Sequence, residues 1–530
     1  MKSKELDLSK SQYWADQTAR RVVSEWGAVE RYYIEAGITP SGVVHIGNFR
    51  EVITNDIIKR SLEDMGHKVT FLYVWDDYDR FRKVPQGYPN SELLNDCIGM
   101  PISDVPDTLG EYSSYAERNQ KEFEDSLPKV GIEPEFVYQS KRYKDCYFKE
   151  EIKHAINNKE IIRSILDKHR KEPLSDDWYP VSVYCRDCMK DFVKIIAFDG
   201  NYVVDVHCNT CDNDYAIDFS MEGLVSLKWR TDWPMRWYKY NIHFEPGGKE
   251  HSTVGGSYDT AKEIVKEVWN RNPPSYLKYD YLTLKGLGGK ISSSKGNVIK
   301  LHDVLHVYTP ELVRFLFAGT RPGSEFSIPF DDNVIKTYED FDALERIYYG
   351  KKTVTDKEYA NAVRIYEMTI PSKDDISDVM PLQPSFRQLA MLSQIYELNE
   401  ESILRHFDVT NDNDKKRVIE RAECAYYWSR NHAPSSWVYT KNETVPTELV
   451  IDEQTKKAFM IISEELHEGI LEEDTAIIVK NTISSTGVSP RDFFRTAYLL
   501  LLNNEKGPRL SQILSSFPLY SKSLMRDAAK

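Results

Sequence analysis

The chain has 530 residues, 41% hydrophobic and 29% charged, with a formal net charge of −14. That length predicts about three or four globular domains, each able to bury a core; the acidic balance excludes a protein that holds nucleic acid by bulk charge, while leaving room for a local basic face. No apolar run reaches membrane-span length, Met1-Lys2-Ser3-Lys4-Glu5 begins no signal core, and seven cysteines are too few for a disulfide framework, so a cytoplasmic protein without a membrane partner is expected.

Residues 1–30 read as an amphipathic helix anchored by Trp14, Val22, Val23 and Trp26. Tyr32-Tyr33-Ile34 follows as a strand, and Pro40 and Gly42 form a tight turn. Ile46, Phe49, Val52, Ile53, Asp56 and Ile57 then recur at helical spacing up to Gly66. Val69-Thr70-Phe71-Leu72-Tyr73-Val74-Trp75 is a second strand, which makes residues 31–75 a βαβ unit of a parallel sheet. Ligands of such sheets lie at the carboxyl ends of the strands. Both Thr39–Asn48 and the acidic run Asp76-Asp77-Tyr78-Asp79-Arg80 fall there. His45, Gly47 and Asn48 occupy the first helical turn, where free N–H groups and the positive helix end suit phosphates and Gly47 admits a base or sugar. Alone, this text also suits an ordinary strand-to-helix turn with a capping histidine.

Residues 80–225 interrupt the sheet pattern with turns and polar helices, and predict an inserted domain. Within it Cys185-Arg-Asp-Cys188 and Cys208-Asn-Thr-Cys211 are two Cys-x-x-Cys knuckles whose four thiolates suit one structural Zn²⁺. His207 is a less favoured substitute ligand. From 226 the buried pattern returns through Trp229–Trp237 and His243–His251 to Gly255-Gly256-Ser257, a helix through 270 and a strand at 279–284. Residues 285–297, Lys-Gly-Leu-Gly-Gly-Lys-Ile-Ser-Ser-Ser-Lys-Gly-Asn, combine mobile glycines, hydroxyl donors and the cations Lys290 and Lys295. Such a loop can close over a triphosphate as pyrophosphate leaves. Beyond 300 the text is helical, with Thr309-Pro310 a good helix start. The chain therefore predicts an α/β protein. A Rossmann-type parallel sheet is split between residues 1–90 and 226–305, a zinc-containing domain is inserted at 91–225, and an all-α domain fills 306–530.

The pair His45-Ile46-Gly47-Asn48 and Lys290-Ile291-Ser292-Ser293-Ser294 resembles the HIGH and KMSKS signatures of class I aminoacyl-tRNA synthetases. Thr39-Pro40-Ser41-Gly42, Trp75-Asp76-Asp77-Tyr78-Asp79, Arg82-Lys83-Val84-Pro85, Asp232–Trp237 and Phe244-Glu245-Pro246 narrow the resemblance to the class I lysyl-tRNA synthetase family. It implies activation of L-lysine with Mg²⁺-ATP and transfer to the 2′-OH of the terminal ribose of tRNA(Lys), by a monomer whose helical C-terminal part reads the anticodon end. It implies ATP-binding roles for Pro40, Gly42, His45, Gly47 and Asn48, for Gly255 and Gly256, and for Lys290, Ser292, Ser293 and Lys295. His45, Asn48, Lys290 and Lys295 would be catalytic. Asn48 stands where a second His is usual, and Ser293 where a second Lys is usual, so Lys295 is expected to supply the missing charge.

Related glutamyl synthetases carry an Arg ten residues before the first signature His; here that position is Glu35, the inverse charge, as an ammonium substrate requires. Glu35 is thus the first expectation for reading the substrate ammonium, with Asp76 and Asp77 next. By resemblance Gly37, Thr39, Trp229, His251 and Tyr279 line the rest of the pocket. A second zinc site of some family members would start at Asp107, but its Cys-His partners are missing here. Other class I synthetases, a small nucleotidylyltransferase, and a zinc-containing tRNA-binding paralogue with impaired catalysis remain as alternative readings.

Overall fold

The computed structural model describes residues 2–85, 88–287, 289–290 and 298–530, with residues 3, 4, 289 and 290 described by backbone alone. Strands β1 (Tyr32–Ile38), β2 (Val69–Trp75), β3 (Glu135–Tyr138), β4 (Ile242–Gly248) and β5 (Ser275–Tyr279) form one parallel sheet in the order β5-β4-β1-β2-β3. This is a doubly wound order built from two βαβ halves, with its switch point beside β1. All seven residues of β2 and all seven of β4 are buried, as expected for strands covered on both faces.

Helices α1 (Trp14–Trp26), α2 (Ile46–Asp64), α3 (Tyr115–Glu124), α4 (Trp229–Lys239) and α5 (Ser257–Trp269) flank the sheet. At the start of α2 the Nδ1 atom of His45 accepts from the N–H of Gly47, and Asn48 Oδ1 accepts from the N–H of His45, both at 3.1 Å. That reciprocal cap fixes where the helix begins.

Two boundaries differ from those read in the sequence. Strand β3 belongs to the central sheet, paired in parallel with β2 from Leu72↔Glu135 to Trp75↔Tyr138, so the sheet runs into the stretch expected to be an insertion. Four residues on a sheet edge, one facing out, carry too little periodicity to be seen. The strand expected at 279–284 is two strands. Arg50 donates to the carbonyl oxygens of Asp280 and Tyr281 at 2.7 and 2.9 Å. The chain leaves the sheet there, and Leu282–Lys285 joins Gly289–Lys290 and Phe326–Pro329 in a separate small sheet.

The inserted part carries its own apolar core and a three-stranded antiparallel sheet, Val193–Phe198, Val203–Cys208 and Asn213–Asp218. After Pro329 the described residues are helical, from Asn333–Tyr348 to Pro518–Ala528. One apolar core runs from Tyr13 through the sheet's α2 face to Ala528. Among the described residues no helix is long and apolar enough to cross a membrane.

Candidate active site

At the carboxyl edge of the sheet the structure separates the expected amino-acid-binding residues into two sets. Gly37, Thr39, Trp229, His251 and Tyr279 each keep part of their surface open. Glu35, Asp76 and Asp77 are buried, at 0%, 6% and 3% exposure. Asp77 is occupied by the Ser140 N–H and Oγ, both at 2.7 Å, and by Gln120 at 3.2 Å. Glu35 and Asp76 are ion-paired with Arg236 of α4, Glu35 through Nε at 3.3 Å. Asp232, one helical turn back, is 3.5 Å from the same Nε. Burial pushes the Glu35 and Asp76 carboxyls up, and Arg236 opposes that rise.

Two carboxylates reach the open set: Asp79, which accepts from the Thr39 hydroxyl at 3.0 Å, and Glu51, on α2. Glu51 accepts from the N–H of Gly37 at 3.1 Å and from the Tyr279 hydroxyl at 2.8 Å. No ion-pairing cation faces it among the described residues. Enclosure by protein pushes its carboxyl up to about 8, although part of the residue remains exposed. Gly37 is required by close approach: a Cβ there would lie 2.9 Å from the Val74 carbonyl oxygen. Beside this group Trp229 stacks on Trp233 with ring centroids 5.1 Å apart, and His251 lies 6.3 Å from the Trp229 ring. His251 Nδ1 is 2.8 Å from Ser257 Oγ, and burial lowers its pKa, so the ring is a neutral wall. Glu245 of β4 accepts from the indole N–H groups of Trp233, at 3.0 Å, and Trp237. It is 4% exposed.

Sequence reasoning passed over Glu51, Glu245 and Arg236. The available signal for Arg236 was an arginine one turn from Asp232 inside a tryptophan-rich helix, which must find carboxylates when it is buried. For Glu51 it was the company of Arg50, Thr54, Asn55 and Asp56, polar residues that recur around a helix already assigned to the site.

The nucleotide side is built from helix starts. Pro40 and Gly42 lead into the capped turn His45–Asn48 at the carboxyl end of β1. Gly255, at φ +73°, and Gly256, which caps α5, stand at the carboxyl end of β4. A Cβ on Gly256 would lie 2.6 Å from the His251 carbonyl oxygen. Because His45 Nδ1 accepts a hydrogen bond and burial lowers the ring's pKa, the ring is neutral with its proton on Nε2. The first described residues beyond the Lys/Ser stretch lie beside this helix start: the N–H of Ile46 donates to the carbonyl oxygen of Ile299 at 2.8 Å. Lys290 lies on the short strand opposite Thr283. Its side chain, and Ser292, Ser293 and Lys295, lie outside the described residues.

In the inserted domain the Sγ atoms of Cys185, Cys188, Cys208 and Cys211 lie within 4.8 Å of one another. Cys185 and Cys211 are 3.9 Å apart, and Cys188 and Cys208 3.8 Å. A tetrahedron with Zn–S near 2.3 Å has edges of about 3.8 Å, so the cluster could hold a zinc ion. The Asp187 and Cys211 N–H groups donate to Cys185 and Cys208 sulfur at 3.4 Å. His207 stands outside the cluster, with Nδ1 2.8 Å from Asp214. Asp107 is held by Arg118, at 2.8 and 2.9 Å, and by three backbone N–H groups.

A doubly wound sheet with a capped His-x-Gly-Asn helix start tied to the far end of a Lys/Ser loop is the catalytic domain of a class I aminoacyl-tRNA synthetase. The sequence model of the family tRNA synthetases class I (K) matches residues 12–371. A lysine–tRNA ligase of Borreliella burgdorferi is 42% identical, over 95% of this chain and 96% of the relative. One from Pyrococcus horikoshii is 39% identical over 95% and 97%, and one from Treponema pallidum 37% over 95% and 96%. The chain belongs to the class I tRNA synthetases of the K family.

Proposed function

We propose that this protein is a lysine–tRNA ligase, which activates L-lysine with MgATP to lysyl-adenylate and transfers the lysyl group to the 3′-terminal ribose of tRNA(Lys). The observation that carries the choice of lysine is Glu51, a reachable carboxylate with two neutral donors and no ion-paired cation among the described residues. A desolvated ammonium needs such a partner. Glu51, Gly37 and Tyr279 read the side-chain end, and the Trp229 and His251 rings pack against the aliphatic stem. Glu35 and Asp76 act through Arg236, and Asp77 through Ser140, as supports of the pocket floor. Thr39 donates to Asp79 at 3.0 Å and closes the strand end.

Activation needs no nucleophilic side chain, because the lysine carboxylate attacks the α-phosphorus in line and pyrophosphate leaves. Pro40, Gly42, Gly47 and Asn48 shape the helix start against the phosphates, and His45 donates from Nε2 to an α-phosphate oxygen. Gly255 and Gly256 let the nucleotide approach α5. Lys290, Ser292, Ser293 and Lys295 contact the leaving phosphates. Cys185, Cys188, Cys208 and Cys211 hold one Zn²⁺ that leaves no open coordination position and is structural. The helices beyond 306 bind the anticodon end of the tRNA, and the enzyme works as a monomer in the cytoplasm.

Pyrophosphate exchange with each of the twenty amino acids, followed by tRNA charging, tests the reading. Lysine alone should support both; exchange with another amino acid would change the substrate, and no exchange would leave a tRNA-binding protein. Metal analysis should find one zinc per chain, and Cys211→Ser should remove it; unchanged zinc content would overturn the metal assignment.

A further inference from the structure

Six arginines are buried among the described residues, and five of them, Arg60, Arg236, Arg314, Arg364 and Arg421, are ion-paired with a carboxylate. The sixth, Arg50, is 2% exposed and has no such partner among the described residues. Its guanidinium is taken up by backbone instead. One terminal nitrogen donates to the carbonyl oxygens of Asp280 and Tyr281, at 2.7 and 2.9 Å; the other donates to those of Pro322 and Ser324, both at 2.7 Å. The ring of Phe326 lies against the group, its centroid 4.8 Å from the guanidinium carbon. The two backbone segments enter the small sheet side by side. The N–H of Asp280 donates to the Pro322 carbonyl oxygen at 2.9 Å, and Leu282 then pairs in parallel with Phe326. Thr283, the next residue, is paired with Lys290. Arg50 thus spans the root of both strands, as a flat fork with donors on either arm can and a point-like ammonium cannot. Helix α2 also holds this part of the chain further on, where the N–H of Ile46, one turn before Arg50, donates to Ile299. A cation buried without a counter-charge is costly even when every donor is satisfied, so charge balance does not account for Arg50.

We propose that Arg50 is a positioning residue for amino-acid activation: it fixes the root of the small sheet on α2, and so sets where Lys290 stands relative to phosphates bound at the start of that helix. This rests on the reading of Lys290 as a contact of the leaving phosphates. In-line displacement tolerates little error in the groups that take up charge on the pyrophosphate, and a shift of about 1 Å costs on the order of a hundredfold in rate. Strand pairing carries the position along the chain. Lys290 is tied to Thr283, and Thr283 stands two residues beyond the Tyr281 carbonyl that Arg50 holds. The lysine side is held separately: Tyr279 is paired with Gly248 in the central sheet and donates to Glu51 without help from Arg50.

Two measurements on the full-length enzyme test this: pyrophosphate exchange with L-lysine and ATP, and calorimetric binding of L-lysine without ATP. In Arg50→Lys the charge stays but the fork is lost. The kcat for exchange should fall by about tenfold to a hundredfold, while the Kd for lysine stays within about twofold of wild type. A Kd that rises as much as kcat falls would make Arg50 a general support of the fold and overturn the proposal. A double-mutant cycle separates the two roles further. Because Arg50 acts through Lys290, adding Arg50→Lys to Lys290→Ala should slow exchange by no more than about threefold. Slowing by the whole factor seen in the wild-type background overturns the proposal. Should Arg50→Lys not fold, Phe326→Leu, which removes only the ring against the guanidinium, takes its place. It should lower kcat by about threefold and leave the lysine Kd alone, and a wild-type kcat there overturns the proposal. Exchange at the wild-type rate in Lys290→Ala is a separate result, in which the underlying reading of Lys290 fails instead.

Discussion

Between the α2 layer and the C-terminal helices, four carboxylates (Asp16, Asp56, Asp64 and Glu367) meet four cations (Arg60, Arg314, Arg364 and Lys373). At the carboxyl edge of the sheet Glu35, Asp76 and Asp232 share Arg236, while Glu51 and Glu245 have only neutral hydrogen-bond donors. Both groups are buried, and both tie distant parts of the chain together; Arg364, for example, grips Asp16 at 2.7 and 2.8 Å across 348 residues. In the first, each charge finds its counter-charge within the protein, and the network needs nothing from outside. In the second the protein is short of positive charge, and the deficit sits where the surface opens. Burial and ion pairing alone do not distinguish a structural network from a binding site; the local charge balance does.

The largest effect should come from breaking the balanced group. Arg364→Met leaves Asp16 buried without its cation and should cost about 3–5 kcal/mol. Thermal melts should show a drop of many degrees, while the KM for lysine of the folded fraction stays near wild type; a raised KM would mean the two groups are coupled. Breaking the unbalanced group should do the reverse. Glu51→Gln removes a charge the empty enzyme has in excess, so the Tm of the empty enzyme should not fall. The KM for lysine in pyrophosphate exchange should rise by roughly a hundredfold, about 3 kcal/mol for a lost charge pair in a desolvated site. A large Tm loss with normal KM would make Glu51 a structural carboxylate. The smallest effect sharpens the baseline: Lys336 and Asp340 form an exposed pair 2.5 Å apart on one helix, and Lys336→Ala should change neither Tm nor KM measurably.

The βαβ unit was legible because its strands and helix differ in period: an unbroken apolar run for β2, and helical spacing for α2 from Ile46 to Ile57. The helix start was equally legible, since a turn with Pro and Gly before a His-x-Gly step admits few conformations. What escaped was the direction of side chains. Counting ten residues back from His45 finds a strand position, and Glu35 is indeed on β1. The sequence does not contain which carboxylate an arginine 201 residues away will claim. Glu51 emerges only when β5 is laid beside β4 and Tyr279 arrives from the second half of the chain. Edge strand β3 escaped for a simpler reason, its brevity. The four cysteines were readable because a metal tetrahedron imposes its own spacing on the chain.

Arg50 and Glu51 are neighbours on α2, and Tyr279 and Asp280 are neighbours at the end of β5. Arg50 takes the Asp280 carbonyl while Glu51 takes the Tyr279 hydroxyl. This double clasp joins residues some 230 positions apart, so a ribosome-bound chain that has not yet emerged past residue 280 lacks the pocket proposed for lysine. The two halves of the clasp therefore meet in one step, about midway through synthesis of the 530 residues.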